Sequence, residues 1–220
     1  MAFEAGRRGR LRGRYTRAPV PTRAPPLSPR NPVEHDILPA LQARWSPYAF
    51  DPERDVSESD LAAIFEAARW AMSSYNEQPW RYIVGVRGRS EETREKVLGT
   101  IVEGNRPWAT FAPVLALGLY RPDFARNGKP NAAARHDLGA ASACLTVEAA
   151  ARGIVVHQMI GVDHERVRAA FELPDGLEPL TALAVGYHAP NPDLDESYAK
   201  RDERERSRLP LEELLLAGGL

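Results

Sequence analysis

Cysteine, lysine and long apolar runs are scarce in this 220-residue chain, and each shortage excludes something. The single cysteine, Cys144, rules out an intramolecular disulfide and any zinc site built on several thiolates. It fits a reducing compartment, so a cytoplasmic location is expected. No stretch of about 18 apolar residues occurs, so no membrane-spanning helix is expected. The longest clean runs, Val114–Leu119 and Leu180–Gly186, have the length of core strands. Familiar catalytic signatures are also missing. There is no G-x-G-x-x-G, no G-x-x-x-x-G-K-[ST], no G-x-S-x-G and no H-E-x-x-H.

What remains is an ordinary globular composition, 43% hydrophobic and 27% charged. A chain this long buries roughly 70% of its unfolded surface in one domain, without needing a metal or a disulfide. The net charge of −1 hides an asymmetry: residues 1–30 hold eight of the 29 basic residues and one of the 30 acids. Only three of those 29 are lysine. Residues 1–33 also carry six prolines from Pro19 to Pro32, which remove amide donors and leave little to bury. They are expected to form a disordered Arg/Pro-rich tail, with the folded domain over 34–220. A nucleic-acid arm is the functional alternative for that tail.

The rest of the chain reads as helices alternating with strands. Ile37, Leu38 and Leu41 lie at helical spacing. Ser57 and Asp60 form an acidic capping box before the apolar stripe Leu61, Ile64, Phe65, Ala68 and Met72. Strands are expected at 81–86, 114–119, 154–156 and 181–187, the second and fourth of them interior because they lack polar alternation. Glu91 to Ile101 reads as a surface helix and Asp163 to Phe171 as another. Asn131 to Arg152 reads as a helix rich in small residues, suited to a core or a subunit interface, with Gly153 ending it. The expected class is α+β or mixed α/β, a sheet covered by helices.

Few residues announce chemistry. His136-Asp137 and His164-Glu165 diverge by about 100° on a helix and lack partners at i+4, so structural roles are expected. Cys144 lies among apolar neighbours with no cation to form a thiolate. No metal site and no catalytic side chain is expected. Three segments resist a purely structural account. Arg44-Trp45-Ser46-Pro47-Tyr48 puts a cation and a hydroxyl at a helix end. Ser73-Ser74-Tyr75-Asn76-Glu77-Gln78-Pro79-Trp80 puts hydroxyls and amides between a helix and a strand, as a surface for a planar polar molecule would. Arg206-Ser207-Arg208 pairs guanidiniums in the way bidentate phosphate binding uses.

Taken in order, these segments resemble the nitroreductase family of flavin enzymes over roughly residues 34–220. The match runs through Arg44-x-Ser46 with Phe50, Ala68-Arg69-Trp70-Ala71-x-Ser73-Ser74-x-Asn76-x-Gln78-Pro79-Trp80, and Asn105-x-x-Trp108 with Ala112-Pro113. It continues through Asp137-x-Gly139-Ala140-Ala141, Gly153-Ile154 to Met159-x-Gly161-x-Asp163, and Arg206-x-Arg208-x-Pro210-Leu211. The resemblance implies a nitroreductase-like α+β fold, a mixed and mostly antiparallel sheet flanked by helices in an interleaved homodimer. It further implies bound FMN and hydride transfer from diffusible NAD(P)H to a nitroaromatic, quinone or similar acceptor. Family members with other reduced-flavin chemistry, flavin cleavage or dehalogenation, are the alternative. Nucleic acid and membrane are not expected partners.

Position by position, the resemblance assigns Arg44, Trp45, Ser46, Tyr48, Arg206 and Arg208 to the phosphate, ribityl and pyrimidine side of FMN. Asn76 reads the ring edge, with Ser74 and Gln78 supporting the loop. Met159, Ile160 and Gly161 pass over the ring with their backbone amides near its reactive edge, the glycine allowing close approach. Phe124, Tyr120 and Tyr75 are candidates to line the acceptor pocket. Tyr48 stands where many members carry Lys or Arg, which implies a lower flavin potential. Met72 stands in place of a common proline.

Overall fold

The computed structural model describes residues 27–218. The expected tail therefore lies outside the described residues as far as residue 26, but residues 27–33 run against the body. The Leu27 amide donates to the Ala150 carbonyl (3.4 Å), and the Arg30 guanidinium sits 3.6 Å from the Trp45 ring centroid. Composition misses this docking because a few single contacts make it.

Helix α1 (Pro39–Ala43) leads into an extended segment and then α2 (Glu58–Arg69). The Ser57 hydroxyl caps α2, accepting from the Asp60 amide (3.0 Å) and donating to its carboxylate (2.7 Å), as the spacing predicts. Next come β1 (Trp80–Val86), α3 (Glu91–Thr100), α4 (Arg106–Ala109) and β2 (Val114–Tyr120). They are followed by α5 (Ala134–Ala151), β3 (Val155–Met159), α6 (His164–Phe171) and β4 (Glu178–Gly186), then by α7 (Glu196–Asp202) and α8 (Leu211–Leu214). Gly153, at φ +73°, turns the chain out of α5.

The four strands lie in the order β1-β2-β4-β3, and every adjacent pair is antiparallel. The mostly antiparallel sheet that was expected is thus wholly antiparallel among the described strands. Strands β2 and β3, joined through α5, do point the same way, but β4 runs the opposite way between them. As predicted, β2 and β4 are the interior strands.

The sheet is covered on both faces, so its central strands show no polar alternation. Alternate residues still sort by face. Val114, Ala116 and Tyr120 pack toward α2 and α5, while Leu115, Leu117 and Leu119 join Trp108, Ile101 and Val167 on the other side. Helix α3 is more than the surface helix expected, since Arg94, Val97 and Thr100 are buried. Gly85 makes that possible: a Cβ there would stand 2.3 Å from the Arg94 Cα. The Arg94 guanidinium then donates to the Ala112 carbonyl (3.0 and 3.1 Å) and the Thr110 carbonyl, tying α3 to the turn before β2.

Candidate functional site

Between Ala43 and Ala49 burial alternates. Ala43, Trp45, Pro47 and Ala49 are buried, whereas Arg44, Ser46 and Tyr48 are only partly covered. This extended stretch separates two sets of side chains. On the open side the Arg44 guanidinium reaches Ser46 Oγ (3.4 Å). On the closed side Trp45 meets Arg30 and, edge-on at 4.8 Å, His188. The Trp45 side chain therefore belongs to the packing, on the side away from Arg44 and Ser46.

The C-terminal arginines reach this segment through Asp202, the last residue of α7. Its carboxylate accepts the backbone amides of Tyr48 (2.9 and 3.0 Å) and Ala49 (2.8 Å). Four residues later Arg206 Nε donates to Asn31 Oδ1 (2.6 Å). The Asn31 amide in turn donates to the carbonyls of Leu41 (3.0 Å) and Arg44 (3.1 Å). Sequence reasoning missed both organisers. Asp202 lay in a charge-dense run and Asn31 in the supposed tail, and neither position carried a motif.

Arg44, Arg206 and Arg208 line one cavity of about 260 Å³ with Asn31, Val33 and Leu41. Among the described residues no carboxylate pairs with any of the three. Burial, then the nearby Arg208, pulls the Arg44 guanidinium below its ordinary pKa. Burial, then Arg44, Arg208 and Arg30, does the same to Arg206. Arg44 Nε is buried and has no acceptor among the described residues. Three neighbouring cations with an orphaned buried N–H form a donor set suited to an anion. A phosphate with several acceptor oxygens fits that donor set.

The second segment is a strained loop. Tyr75, Asn76 and Gln78 have φ of 52°, 55° and 50°, the left-handed region that costs non-glycine residues about 1–3 kcal/mol each. Two side chains hold it there. Asp137, 2% exposed on α5, accepts the Ser74 amide (3.0 Å), and Ser73 Oγ accepts the Gln78 amide (3.1 Å). Asp137 also faces His136 Nδ1 (3.1 Å), and it is Asp137 that anchors the loop. The Asn76 side chain stays exposed. Gln78 Nε2 spends a proton on the Asn76 carbonyl (3.0 Å).

The 159–161 turn follows a strand longer than the expected 154–156. Strand β3 continues through Met159, whose side chain is buried in the core at 5% exposure, so only its backbone can face a ligand. Ile160 projects outward. Gly161 fits against the Val102 and Asn105 side chains, where a Cβ would stand 2.7 and 2.9 Å away, and its carbonyl accepts the Val102 amide (3.1 Å). The Tyr48 ring lies among Trp108 (5.2 Å), His157 (4.9 Å) and Tyr198 (5.6 Å). The cation lacking at position 48 is present nearby, since Arg201 sits 5.4 Å from that ring centroid.

The structure thus joins Arg44, Ser46, Arg206 and Arg208. The Ser74-to-Gln78 loop and the 159–161 turn both lie at the end of the sheet where β1 begins, but at opposite edges. No hydrogen bond links these three groups among the described residues. Nor does any described helix have the length and apolarity to cross a membrane.

Known proteins share sequence and fold with this chain. The sequence pattern of the Nitroreductase family matches residues 41–110. A protein of Mycolicibacterium smegmatis, called an uncharacterized 15.4 kDa protein in ask 5'region, is 39% identical over 147 residues, 63% of this chain and 95% of that one. The Major NAD(P)H-flavin oxidoreductase of Aliivibrio fischeri is 32% identical over 75 residues, 34% of each chain. A solved structure described as an oxidoreductase containing FMN superposes with a TM-score of 0.78 at 29% identity, covering 86% of this chain and 95% of that one.

Proposed function

The chain belongs to the nitroreductase family, and from that premise we infer that it is an FMN-dependent oxidoreductase that draws hydride from NAD(P)H. The observation that carries this reading is the uncompensated cluster of Arg44, Arg206 and Arg208, with its orphaned Arg44 Nε. Arg44, Ser46, Arg206 and Arg208 hold the FMN phosphate and the adjoining chain by charge-assisted hydrogen bonds. Asn76, supported by Ser74 and Gln78, would hold the polar edge of the ring, with the backbone of 159–161 supplying amides to it. Flavin bound there would supply the two-electron chemistry between NAD(P)H and the acceptor.

The chain's own part is positioning and exclusion of water. For a nitro acceptor the balance is ArNO2 + NAD(P)H + H⁺ → ArNO + NAD(P)⁺ + H2O, with protons drawn from solvent. This fits a site without an obvious acid–base pair. The strained loop before β1 and the 159–161 turn after β3 lie at opposite edges of the sheet, which supports a homodimer, each protomer's loop completing its partner's site. The exposed Ile37, Leu38, Leu41, Leu214 and Leu216 supply apolar surface for that contact. A soluble cytoplasmic enzyme is the corresponding location.

The test is direct. Purified protein should be yellow, bind FMN stoichiometrically, run as a dimer and reduce nitroaromatics or quinones with NADH or NADPH. Arg44→Gln and Arg206→Ala should each weaken FMN binding by about 10- to 100-fold, the loss of one or two charge-assisted hydrogen bonds. A colourless monomer indifferent to added FMN refutes the reading.

A further inference from the structure

Thirteen residues connect β2 to α5, and their turn is well tied. The Phe124 amide donates to the Lys129 carbonyl and the Gly128 amide to the Phe124 carbonyl, both at 2.8 Å. Glu77 reaches across from the strained loop to accept the Ala125 amide (2.5 Å), which fixes the two loops together. Above that joint stand three side chains. Tyr75 is 77% exposed on backbone in the left-handed region, which lifts its ring away from the core. Phe124 meets it edge-on at 5.8 Å. The Arg126 guanidinium lies 4.4 Å from the Tyr75 centroid and 4.9 Å from that of Phe124.

Arg126 makes no ion pair among the described residues. The one carboxylate at the joint, Glu77, is turned to the Ala125 amide. Between residues 121 and 135 the chain carries Arg121, Arg126, Lys129 and Arg135 against the single acid Asp123. A guanidinium held over aromatic rings without an ion-pair partner keeps N–H donors for a carboxylate or sulfonate, and an aromatic ligand can share the same rings. Holding an exposed tyrosine in a strained conformation under an unpaired cation has no use in packing.

We propose that Tyr75, Phe124 and Arg126 form the acceptor platform and select flat aromatic acceptors bearing an anionic substituent. The inference rests on the flavin-enzyme reading above and names the substrate class of that site. The platform serves the acceptor, not the nucleotide.

The test compares holoprotein reduction of 4-nitrobenzoate with that of neutral 4-nitrobenzamide, in wild type, Arg126→Gln and Arg126→Lys. Glutamine should lower the ratio of the two kcat/KM values by about fivefold, the effect of one exposed ion pair, and lysine should restore most of it. Raising ionic strength to about 0.5 M should shrink the wild-type preference. Calorimetric titration with benzoate and benzamide should show the same selectivity with no turnover. Equal ratios in all three proteins, or an Arg126→Gln effect confined to the KM for NADH or NADPH, overturns the inference while leaving the flavin reading intact. A protein that takes up no FMN and reduces neither acceptor overturns the reading beneath it, and this inference with it.

Discussion

Replacing Asp202 with alanine should cripple flavin binding although Asp202 need never touch a ligand. Its carboxylate accepts the amides of Tyr48 and Ala49 at 2.8–3.0 Å, and that grip brings Arg206 beside Arg44. A hydrogen bond to a charged acceptor contributes about 1.5–3 kcal/mol, and the lower end suits this partly exposed residue. Two amides then give about 3 kcal/mol of docking for the segment after α7. Lost globally, that lowers the melting temperature by about 6–12 °C. If only the docked state binds FMN, the apparent Kd rises by the fraction undocked, at most about 150-fold. The Asp202→Asn protein, retaining one carbonyl oxygen, should fall between the wild type and Asp202→Ala. Urea denaturation and FMN fluorescence quenching read the two effects separately. Combined with Arg206→Ala, the alanine substitution should cost far less than the sum of the two single changes, because both act through one contact. An Asp202→Ala protein that keeps wild-type FMN affinity, or strictly additive losses in the pair, refutes this account.

Three further outcomes follow from the packing. Gly161→Ala pushes a methyl against Val102 and Asn105 and should destabilise by about 1–3 kcal/mol in chemical denaturation, with Val102→Ala recovering part of it. Arg94→Met strands the Thr110 and Ala112 carbonyls and should cost about 3 kcal/mol, read by the same method. His157 donates from Nδ1 to the Pro47 carbonyl (2.8 Å) in a mostly buried setting. Burial holds its pKa below the ordinary value, outweighing that bond and the nearby Asp202. The unfolded chain therefore binds the proton more readily than the fold does. Stability should be complete above about pH 6.5 and decline as pH falls from there through the folded pKa, and His157→Gln should flatten that slope.

Local signals in the sequence carry much of this protein. The capping pair Ser57 and Asp60, the apolar stripe behind it, Gly153 and the uninterrupted runs of β2 and β4 each act within a few residues, so position along the chain reveals them. The arginine cluster was legible in the same way, as a motif at each end of the domain. Other features depended on residues far apart. That β4 separates β2 from β3, that Trp45 turns inward while Arg44 turns outward, and that the Met159 side chain at the end of β3 is buried all follow from how the sheet is covered. Asp202 and Asn31 act across more than 150 residues of sequence, through single hydrogen bonds with no periodic signature. Side-chain type and spacing by themselves determined which elements form and which groups can hold an anion. Only the tertiary structure decided which of those groups meet, because a long-range contact depends on where the backbone lies and a sequence records only what comes next.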